Sequence, residues 1–459
     1  MYRGQLTDGQ WDGFGEQWDG DLLLYRGQFR KGQRCGRGVL YLSPDENVVG
    51  VFKNGQLEEG EYITRHANGQ PCYEGVLRNE RRQGVSKVYD QEGSLEYEGC
   101  FVDGKRHGQG RLRRDGWWYE GTFAEDELDG DVSCYDATHV LREVCQYEGG
   151  ARLGTGKIFS EQGFLLYEGG LNAKGYYGHG VQYYPGKGTH YEGEFLNGLF
   201  HGYGQLYSEE GDLLYIGNFR EGLRDGEGKE YTVGTRLLFT GKFRRGQREG
   251  KGKLFYSLGH FYEGEFLDGV IHGEGHLVWS DGQSYHGMFA HGVKQGQGTF
   301  TWTDGSRYEG EWKEDKRWGM GRQYSPEGRL VYEGEWEEDI ARGEGVLFLE
   351  RNLRYEGTVE NLLRCGKGQL YNHAGDLEYD GEWKDDRPHG YGKFFYGDDV
   401  YYEGAWVDGQ KDGMGRLNYK DGRYFIGMFK NGMKHGKGCL ISRQGKILSE
   451  GEYVMNEKQ

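Results

Sequence analysis

Proline, paired cysteines and long apolar runs are scarce in this chain. Only 5 of its 459 residues are proline, so few positions are barred from regular hydrogen-bonded structure. The 7 cysteines are odd in number and follow no spacing pattern, which fits reduced thiols in a cytosolic compartment better than a disulfide framework. No apolar run approaches the roughly 18 residues of a membrane-spanning helix, and no targeting peptide is recognisable after Met1. We therefore expect a soluble protein.

Aliphatic residues are also few. Hydrophobic residues make up 35% of the chain and aromatic residues 15%, so phenylalanine, tryptophan and tyrosine supply nearly half of the apolar content. This composition and a net charge of -17 would by themselves suggest disorder. The negative charge argues against nucleic acid as a partner. Glycine, in contrast, is abundant at 86 residues and strictly periodic, which predicts order.

A repeat of roughly 23 to 24 residues runs along the chain and indicates a repeat architecture. Residues 191–198 read Tyr-Glu-Gly-Glu-Phe-Leu-Asn-Gly, and residues 201–204 read His-Gly-Tyr-Gly. Counted from the opening aromatic residue as position zero, glycine stands at position two, a large apolar residue at four, glycine at seven, and glycines at eleven and thirteen. The opening residues are Tyr2, Tyr25, Tyr73, Tyr97, Tyr119, Tyr147, Tyr167, Tyr191, Tyr215, Phe239, Tyr262, Tyr285, Tyr308, Tyr332, Tyr355, Tyr379, Tyr402 and Phe425, with Val48 opening a weaker copy and Ser449 a truncated last one.

The motif resembles the MORN repeat, whose core reads Tyr-Glu-Gly-Glu-Trp, then Gly, then His-Gly-x-Gly. Residues 379–383, Tyr-Asp-Gly-Glu-Trp, with residues 389–392, His-Gly-Tyr-Gly, nearly match that core. The resemblance extends over about 19 copies and essentially the whole chain. It implies a protein built only of MORN repeats, similar to MORN proteins of cilia, flagella and protist cytoskeletons.

The spacing within a copy predicts a β-hairpin. Tyr402, Gly404 and Trp406 alternate along the chain and would share one face of a strand. The glycines at positions eleven and thirteen suit either a positive φ or a close backbone approach. Single hairpins are marginal in water, so successive copies should pair edge to edge. We predict an all-β fold, an elongated twisted antiparallel ribbon of stacked hairpins, on the order of 180 Å long if straight.

Repeat regularity divides the chain into residues 1–190, partly degenerate, and residues 191–459, regular and ending in the truncated copy. In the first part, the interval from Tyr119 to Tyr147 is too long and that from Tyr147 to Tyr167 too short. Val132 replaces an expected glycine there, and Cys134 and Cys145 lie close by. A kink or docking loop is one interpretation, and drift in a tolerant turn is the favoured one. Between Gly55 and Gly84 the pattern is also weak, with Glu59 and Glu80 at expected glycine positions.

No catalytic, cofactor or metal site is predicted. Histidine recurs at position ten in His107, His201, His272, His389 and His435. Neighbouring copies of that position should lie about 10 Å apart, too far to share one ion, so we assign these histidines to turns. The Gly-x-Gly pairs are not followed by the helix of a phosphate loop. Glu309 and Glu311 recur copy after copy like a solvated surface rather than as an isolated catalytic pair.

Two sets of residues are candidate sites. The first is a structural aromatic strip that includes Trp312, Trp336, Trp383 and Trp406. The second is a basic segment with a single acid, Asp421, which we interpret as a partner-binding patch. Its basic residues are Arg416, Lys420, Arg423, Lys430, Lys434, Lys437, Arg443 and Lys446. Such a patch suits acidic protein tails, including those of tubulin, or anionic lipid headgroups.

Together these features predict a non-enzymatic scaffold protein of the cytoskeleton, in a cilium or flagellum axoneme, with other proteins as partners. The localisation comes from the family resemblance and not from the spacing. One alternative is a membrane-proximal adaptor that binds anionic phospholipids, which the acidic total and the lack of an amphipathic helix weaken. Another is a regulatory partner of a separate enzyme. An open last copy beside the basic segment further predicts an assembly site from about Tyr402 onward, for a second copy of the chain or an acidic partner.

Overall fold

Short antiparallel strands make up nearly all of the regular structure. The computed structural model describes residues 1–459 and contains 41 strands and a single 3₁₀ turn at Glu350–Asn352. The chain divides into a first unit, Met1–Arg236, and a second unit, Leu237–Gln459. The all-β fold class and the antiparallel hairpins predicted from the sequence are confirmed. The division at residue 190 concerns repeat regularity and stays a prediction.

The strands are numbered in chain order. Those of the first unit are β1 (Tyr2–Thr7), β2 (Gln10–Asp19), β3 (Leu22–Arg30), β4 (Gln33–Ser43), β5 (Glu46–Lys53), β6 (Gln56–Leu57), β7 (Gly60–His66), β8 (Pro71–Arg78), β9 (Arg81–Tyr89), β10 (Leu95–Val102), β11 (Lys105–Arg114), β12 (Trp117–Ala124), β13 (Glu127–Tyr135), β14 (Leu141–Glu148), β15 (Ala151–Phe159), β16 (Leu165–Asn172), β17 (Gly175–Tyr183), β18 (Thr189–Leu196), β19 (Leu199–Tyr207), β20 (Leu213–Arg220) and β21 (Leu223–Tyr231). Those of the second unit are β22 (Leu237–Arg244), β23 (Gln247–Ser257), β24 (His260–Leu267), β25 (Val270–Val278), β26 (Ser284–Ala290), β27 (Val293–Thr301), β28 (Arg307–Lys313), β29 (Lys316–Tyr324), β30 (Leu330–Glu337), β31 (Ile340–Phe348), β32 (Arg354–Glu360), β33 (Leu363–Tyr371), β34 (Leu377–Lys384), β35 (Arg387–Gly397), β36 (Val400–Val407), β37 (Gln410–Asn418), β38 (Tyr424–Lys430), β39 (Met433–Ile441), β40 (Ile447–Val454) and β41 (Glu457–Lys458).

Within each unit, strands pair with their neighbours in sequence. Strand β18, for example, pairs antiparallel with β17 on one side and β19 on the other. Each hairpin therefore shares both of its edges with adjacent hairpins, as a repeat that cannot bury its apolar face alone requires. The first unit holds one departure from this order, because β5 pairs with both β6 and β7.

The glycines of a copy have different structural roles, which the β18–β19 hairpin illustrates. Asn197 and Gly198 form its two-residue turn with φ of 52° and 82°, the left-handed pair of a type I′ turn. Gly202, at position eleven, has a φ of 55° and lies where the register of the pair shifts, so it serves a β-bulge. Gly204, at position thirteen, is extended and is needed for a different reason.

That reason is the opening tyrosine, whose ring lies against the position-thirteen glycine. A Cβ on Gly204 would stand 2.2 Å from the hydroxyl oxygen of Tyr191, which is fully buried. The hydroxyl of Tyr191 donates to the carbonyl of Glu194 at 3.0 Å. The ring also meets Phe195 of its own copy and Phe219 of the next copy edge-on, with centroids 5.0 and 5.2 Å apart. The aromatic core is thus shared between the copies opened by Tyr191 and Tyr215.

Strand pairing corrects the sequence register around Tyr147. Val132 faces Cys145 and Cys134 faces Glu143, whereas Gly204 faces Gly217 and Leu206 faces Tyr215 in a regular copy. Glu143 therefore occupies the opening position and Tyr147 position four. The intervals from 119 to 143 and from 143 to 167 are then both 24 residues, so the long and short intervals were an artefact of choosing the wrong aromatic residue.

The weak copy after Val48 contains one extra residue. Thr64 faces Val48 and Tyr62 faces Gly75, so Tyr62 stands where regular copies have the position-thirteen glycine. Gly60 faces Leu77 and takes position eleven, which means that Glu59 is not a replaced glycine. Glu80, in contrast, does stand at a glycine position. It is in the hairpin turn with a φ of 63°, a conformation that usually selects glycine.

Burial of the tyrosines predicts sensitivity to alkali. Burial raises the pKa of Tyr25, Tyr97 and Tyr332 to about 12, whereas unfolded tyrosine ionises near about 10. Because the folded-state pKa is raised, the stabilisation is complete below about pH 10 and is lost toward about pH 12. We expect the melting temperature to fall steeply in this window, with phenolate absorbance rising together with the loss of β-sheet circular dichroism. Gradual phenolate formation in a chain whose dichroism persists would contradict this packing.

Candidate interaction surfaces

The four predicted tryptophans lie at position four and are buried, with 4 to 5% of their surface exposed. Trp336 meets Tyr308 and Tyr332 edge-on, with ring centroids 5.1 and 5.5 Å apart. Its indole nitrogen donates to the carbonyl of Gly321 at 3.4 Å. Trp312, Trp383 and Trp406 donate in the same way, to Gly298, Gly368 and Gly392. Each indole thus bridges its own copy and the preceding one.

A row of cations covers these rings, and sequence reasoning missed it. The guanidinium carbon of Arg317 lies 4.1 Å from the ring centroid of Trp336 and 5.7 Å from that of Tyr308. The equivalent residues at position nine are Arg34, Arg82, Arg106, Arg224, Arg248, Lys294, Arg364, Lys411 and Lys434. Burial lowers the pKa of Lys294. The available signal was a basic residue recurring two positions after the hairpin-turn glycine.

The same position explains the unusual copy opened by Glu143. Arg152 stands at its position nine and pairs with the Glu143 carboxylate at 2.9 Å, so an ion pair replaces the cation on an aromatic ring. Cys134 and Cys145 are buried beside it. Burial raises the pKa of the Cys134 thiol to about 12, which leaves it protonated and a poor nucleophile at neutral pH.

Position ten, where histidine recurs, holds the turn of the following hairpin. The Nδ1 atom of His389 accepts a hydrogen bond from the backbone N–H of Asp408 at 3.4 Å. In other copies Gln83 and Asp412 accept from Asp103 and Asn431 in the same way, at 2.7 and 3.3 Å. An acceptor of any chemical type therefore suffices. No group of three or more His, Cys, Asp or Glu side chains is arranged to hold a metal ion.

Substitutions at His389 distinguish a turn acceptor from a metal ligand. His389→Gln keeps an acceptor and should leave the unfolding free energy unchanged, whereas His389→Ala should cost about 1 kcal/mol, the usual net value of one hydrogen bond. Urea titration with and without a chelator measures both effects. If the chelator destabilised the unmodified protein but not His389→Ala, the turn assignment would be wrong.

The structure distributes the eight basic residues of the C-terminal segment rather than gathering them. Lys434 lies 4.8 Å from the Phe425 ring centroid in the aromatic core, and Arg416 lies 4.0 Å from the Tyr424 ring centroid. Lys420 and Arg423 pair with Asp398 and Asp421 at 3.0 and 2.6 Å. The four with neither an ion pair nor an aromatic ring as partner are Lys430, Lys437, Arg443 and Lys446. These four are the part of the predicted patch that remains available to a partner.

A polar groove crosses the strands of the second unit. One stretch, of about 580 Å³, has a floor that includes Gly287, Gly298 and Gly310 and walls that include Glu311 and Met320. A further stretch of about 550 Å³ shares Glu274 and His286 with the first. The groove follows from the repeat, because the glycines carry no side chains while the residues on either side of them point away from the aromatic core.

Two carboxylates singled out from the sequence, Glu309 and Glu311, line this groove from its two sides. Glu309 pairs with Arg307 at 2.7 Å, and Glu311 accepts from the backbone N–H of Met320 at 3.3 Å. Both therefore have local structural partners.

None of the helical structure is long and apolar enough to cross a membrane.

Comparison with curated proteins gives partial matches to alsin. Alsin of Rattus norvegicus is 34% identical over 158 residues, which are 32% of this chain and 9% of alsin. Alsin of Homo sapiens is 31% identical over 158 residues, with the same shares of 32% and 9%. The chain thus covers only a small part of the length of these relatives.

Likenesses to solved structures are weak. A mutant of the TCP10 domain of Danio rerio CPAP is 12% identical with a TM-score of 0.17, covering 55% of this chain and 95% of that one. A streptogramin B lyase is 11% identical with a TM-score of 0.12, covering 64% of this chain and 88% of that one. Scores this low carry no conclusion about fold or function.

The family model described as "MORN repeat" matches twelve segments. They are residues 25–44, 97–117, 191–213, 215–236, 239–257, 262–284, 285–307, 308–328, 332–348, 379–400, 402–422 and 425–447. All twelve begin at an opening aromatic residue of the register described above, and together they cover more than half of the chain. The chain therefore belongs to the MORN-repeat family.

Proposed function

We propose that this chain is a non-enzymatic scaffold that organises protein assemblies of the cytoskeleton, within a cilium or flagellum. MORN repeats serve interactions with proteins or membranes, and the cytoskeletal assignment is our extension of that role. The observation that supports it is that side chains capable of chemistry occupy the same position in successive copies and make the same structural contact there. The hydroxyls of Tyr191, Tyr308 and Tyr379, for example, all donate to the carbonyl three residues later. A surface that recurs once per copy suits the holding of other subunits in register.

Retention after detergent extraction tests the scaffold. A tagged full-length chain should stay with the extracted cytoskeleton or axoneme, whereas complete release into the detergent-soluble fraction would contradict the proposal. Salt-sensitive binding to vesicles containing anionic phospholipid, without retention, would instead support the membrane-proximal adaptor. Copurification with an enzyme whose rate the chain alters would support the regulatory alternative.

The partner-binding part of the proposal concerns the unpaired cations of the C-terminal copies. Lys437 lies between two glycines, Arg443 is in the turn that follows β39, and Lys446 comes directly after that turn. Their partners in this proposal are acidic segments of cytoskeletal or axonemal subunits, with tubulin tails as one chemical example. A second copy of the chain is the other proposed occupant of this region.

Charge reversal tests this assignment against a matched control. Lys437→Glu combined with Arg443→Glu and Lys446→Glu should lower cytoskeletal retention by about tenfold, because like charges then face the acidic partner. Lys367→Glu is the control, since Lys367 also stands between two glycines, in another copy. Light scattering of the same variants reports self-association. Equal losses of retention in the triple variant and the control, or none in either, would refute the patch.

A further inference from the structure

In the first unit, the side of the sheet that faces away from the aromatic core has an exposed apolar surface around strands β5 to β9. Val85 is 73% exposed, Val49 63%, Ile63 49% and Val51 44%. Regular copies place glutamates at some of these positions. Val49 and Val51, for example, stand one and three residues after the opening Val48, where the copy opened by Tyr191 has Glu192 and Glu194. Water-exposed aliphatic residues that replace charged ones mark a candidate contact surface.

Two of these residues, Ile63 and Val85, line a groove of about 440 Å³, which we call the first-unit groove. One wall is a row of successive cross-strand partners, Ile63, Glu74, Lys87 and Glu98. The opposite wall contains Val85 and Glu61, whose cross-strand partners Cys100 and Val76 extend the same two rows. The floor between the walls includes Gly75. One wall is thus mainly charged and the other mainly apolar.

The groove has an excess of negative charge. Glu61, Glu74 and Glu98 line it against a single cation, Lys87. Lys87 lies 3.8 Å from the Glu98 carboxylate, which Arg111 also approaches to 3.3 Å. Glu74 accepts a hydrogen bond from the Tyr89 hydroxyl at 2.9 Å, and neither Glu74 nor Glu61 forms an ion pair, because Lys87 lies with Glu98 instead. Two carboxylates are therefore open to an incoming cation.

The width of the groove selects the conformation of its occupant. On a given strand, the residues of the two walls are two positions apart, one on either side of a residue that lies between the walls. Two positions along a strand correspond to about 6.6 Å, which is the width of the groove. An α-helix with its side chains is about 10 to 12 Å across and would not enter. An extended chain running across the strands would direct alternate side chains to the two walls.

We infer that the first-unit groove binds an extended segment of a partner protein in which apolar and basic residues alternate. The apolar side chains would pack on Val76 and Val85, and the basic ones would pair with Glu74 on the opposite wall. Glu61, which lies next to Val76, would add to the attraction for the basic residues. An anionic lipid surface is disfavoured by the same carboxylates. The inference rests on the proposed function only in assigning protein partners to the chain. It adds a binding site of opposite charge preference to the C-terminal one.

A labelled, capped peptide Val-Lys-Val-Lys-Val-Lys is the probe, and fluorescence anisotropy with the purified full-length chain is the measurement. We expect saturable binding that Val85→Asp weakens at least about tenfold, or about 1.4 kcal/mol. The double variant Glu61→Gln with Glu74→Gln should also weaken binding and should remove most of its salt dependence. All of these side chains are exposed, and a melting curve of each variant checks that it is folded.

Met320→Asp is the matched control. Met320 lies between two glycines in the groove of the second unit and is 53% exposed, so its replacement should leave peptide binding unchanged. The charge-reversed peptide Val-Glu-Val-Glu-Val-Glu should not bind. The inference is overturned if both peptides bind equally, or if Met320→Asp weakens binding as much as Val85→Asp. It is also overturned if the basic peptide does not bind, whether or not anionic vesicles do. Because purified protein is used, failure here leaves the cytoskeletal retention result unaffected.

Discussion

Replacing Trp336 with alanine should destabilise its part of the second unit by about 3 to 5 kcal/mol, the range for deleting a buried tryptophan. The indole is 4% exposed and contacts the tyrosines of two copies. It also supports the guanidinium of Arg317 at 4.1 Å. One substitution therefore removes packing from both sides of the boundary between two hairpins.

Native-state hydrogen exchange is the suitable measurement, because repeat arrays do not always unfold in a single step. Protection should fall in strands β28 to β31 before it falls elsewhere in the second unit. Trp336→Phe is the matched control, since Phe289 occupies the same repeat position and is also buried. An unchanged exchange pattern in Trp336→Ala would show that the strip is not structural.

Replacing Gly204 with alanine should cost about 1 to 3 kcal/mol or more, as overpacking of a filled core does. The added carbon would lie 2.2 Å from the hydroxyl oxygen and 2.5 Å from Cζ of Tyr191. The ring cannot easily move away, because Phe200 stacks on it with centroids 3.9 Å apart. Backbone strain plays no part, because Gly204 is extended, and the cost is therefore steric.

Gly188→Ala provides the control for this prediction. Gly188 also lacks a positive φ, and a Cβ there would meet no atom within 4 Å. Its replacement should be neutral or slightly stabilising, because alanine reduces the freedom of the unfolded chain. Equal melting temperatures for the two variants would mean that the tyrosine does not pack on the glycine as described.

The chain contains its own variations on this contact. Ser86 occupies the position-thirteen site in the copy opened by Tyr73, where its hydroxyl oxygen lies 2.7 Å from that of Tyr73. Val132 occupies the site in the copy opened by Tyr119 and is 1% exposed. A side chain is thus accommodated only where it becomes part of the core or gains a hydrogen bond, which is why glycine recurs elsewhere.

The candidate sites were predictable to different degrees. Trp312, Trp336, Trp383 and Trp406 share one repeat position, so their common environment followed from spacing. The basic segment did not, because a run of cations in sequence says nothing about which face or edge each side chain reaches. Lys434 enters the aromatic core while Arg443 and Lys446 lie by a turn. The first-unit groove needs residues from several strands and was not visible in sequence.

The sequence by itself determined the repeat, its hairpins, its aromatic face and its family, because these depend on spacing within about 24 residues. Only the tertiary structure decided which residues are cross-strand partners. It placed Glu143 rather than Tyr147 at an opening position and gave the two glycines of a pair different structural roles. It also set the position-nine cation on an aromatic ring in many copies and, in the copy opened by Glu143, opposite a carboxylate. The physical reason is that strand register is fixed by cross-strand packing and bulges, which no residue reveals without its partner.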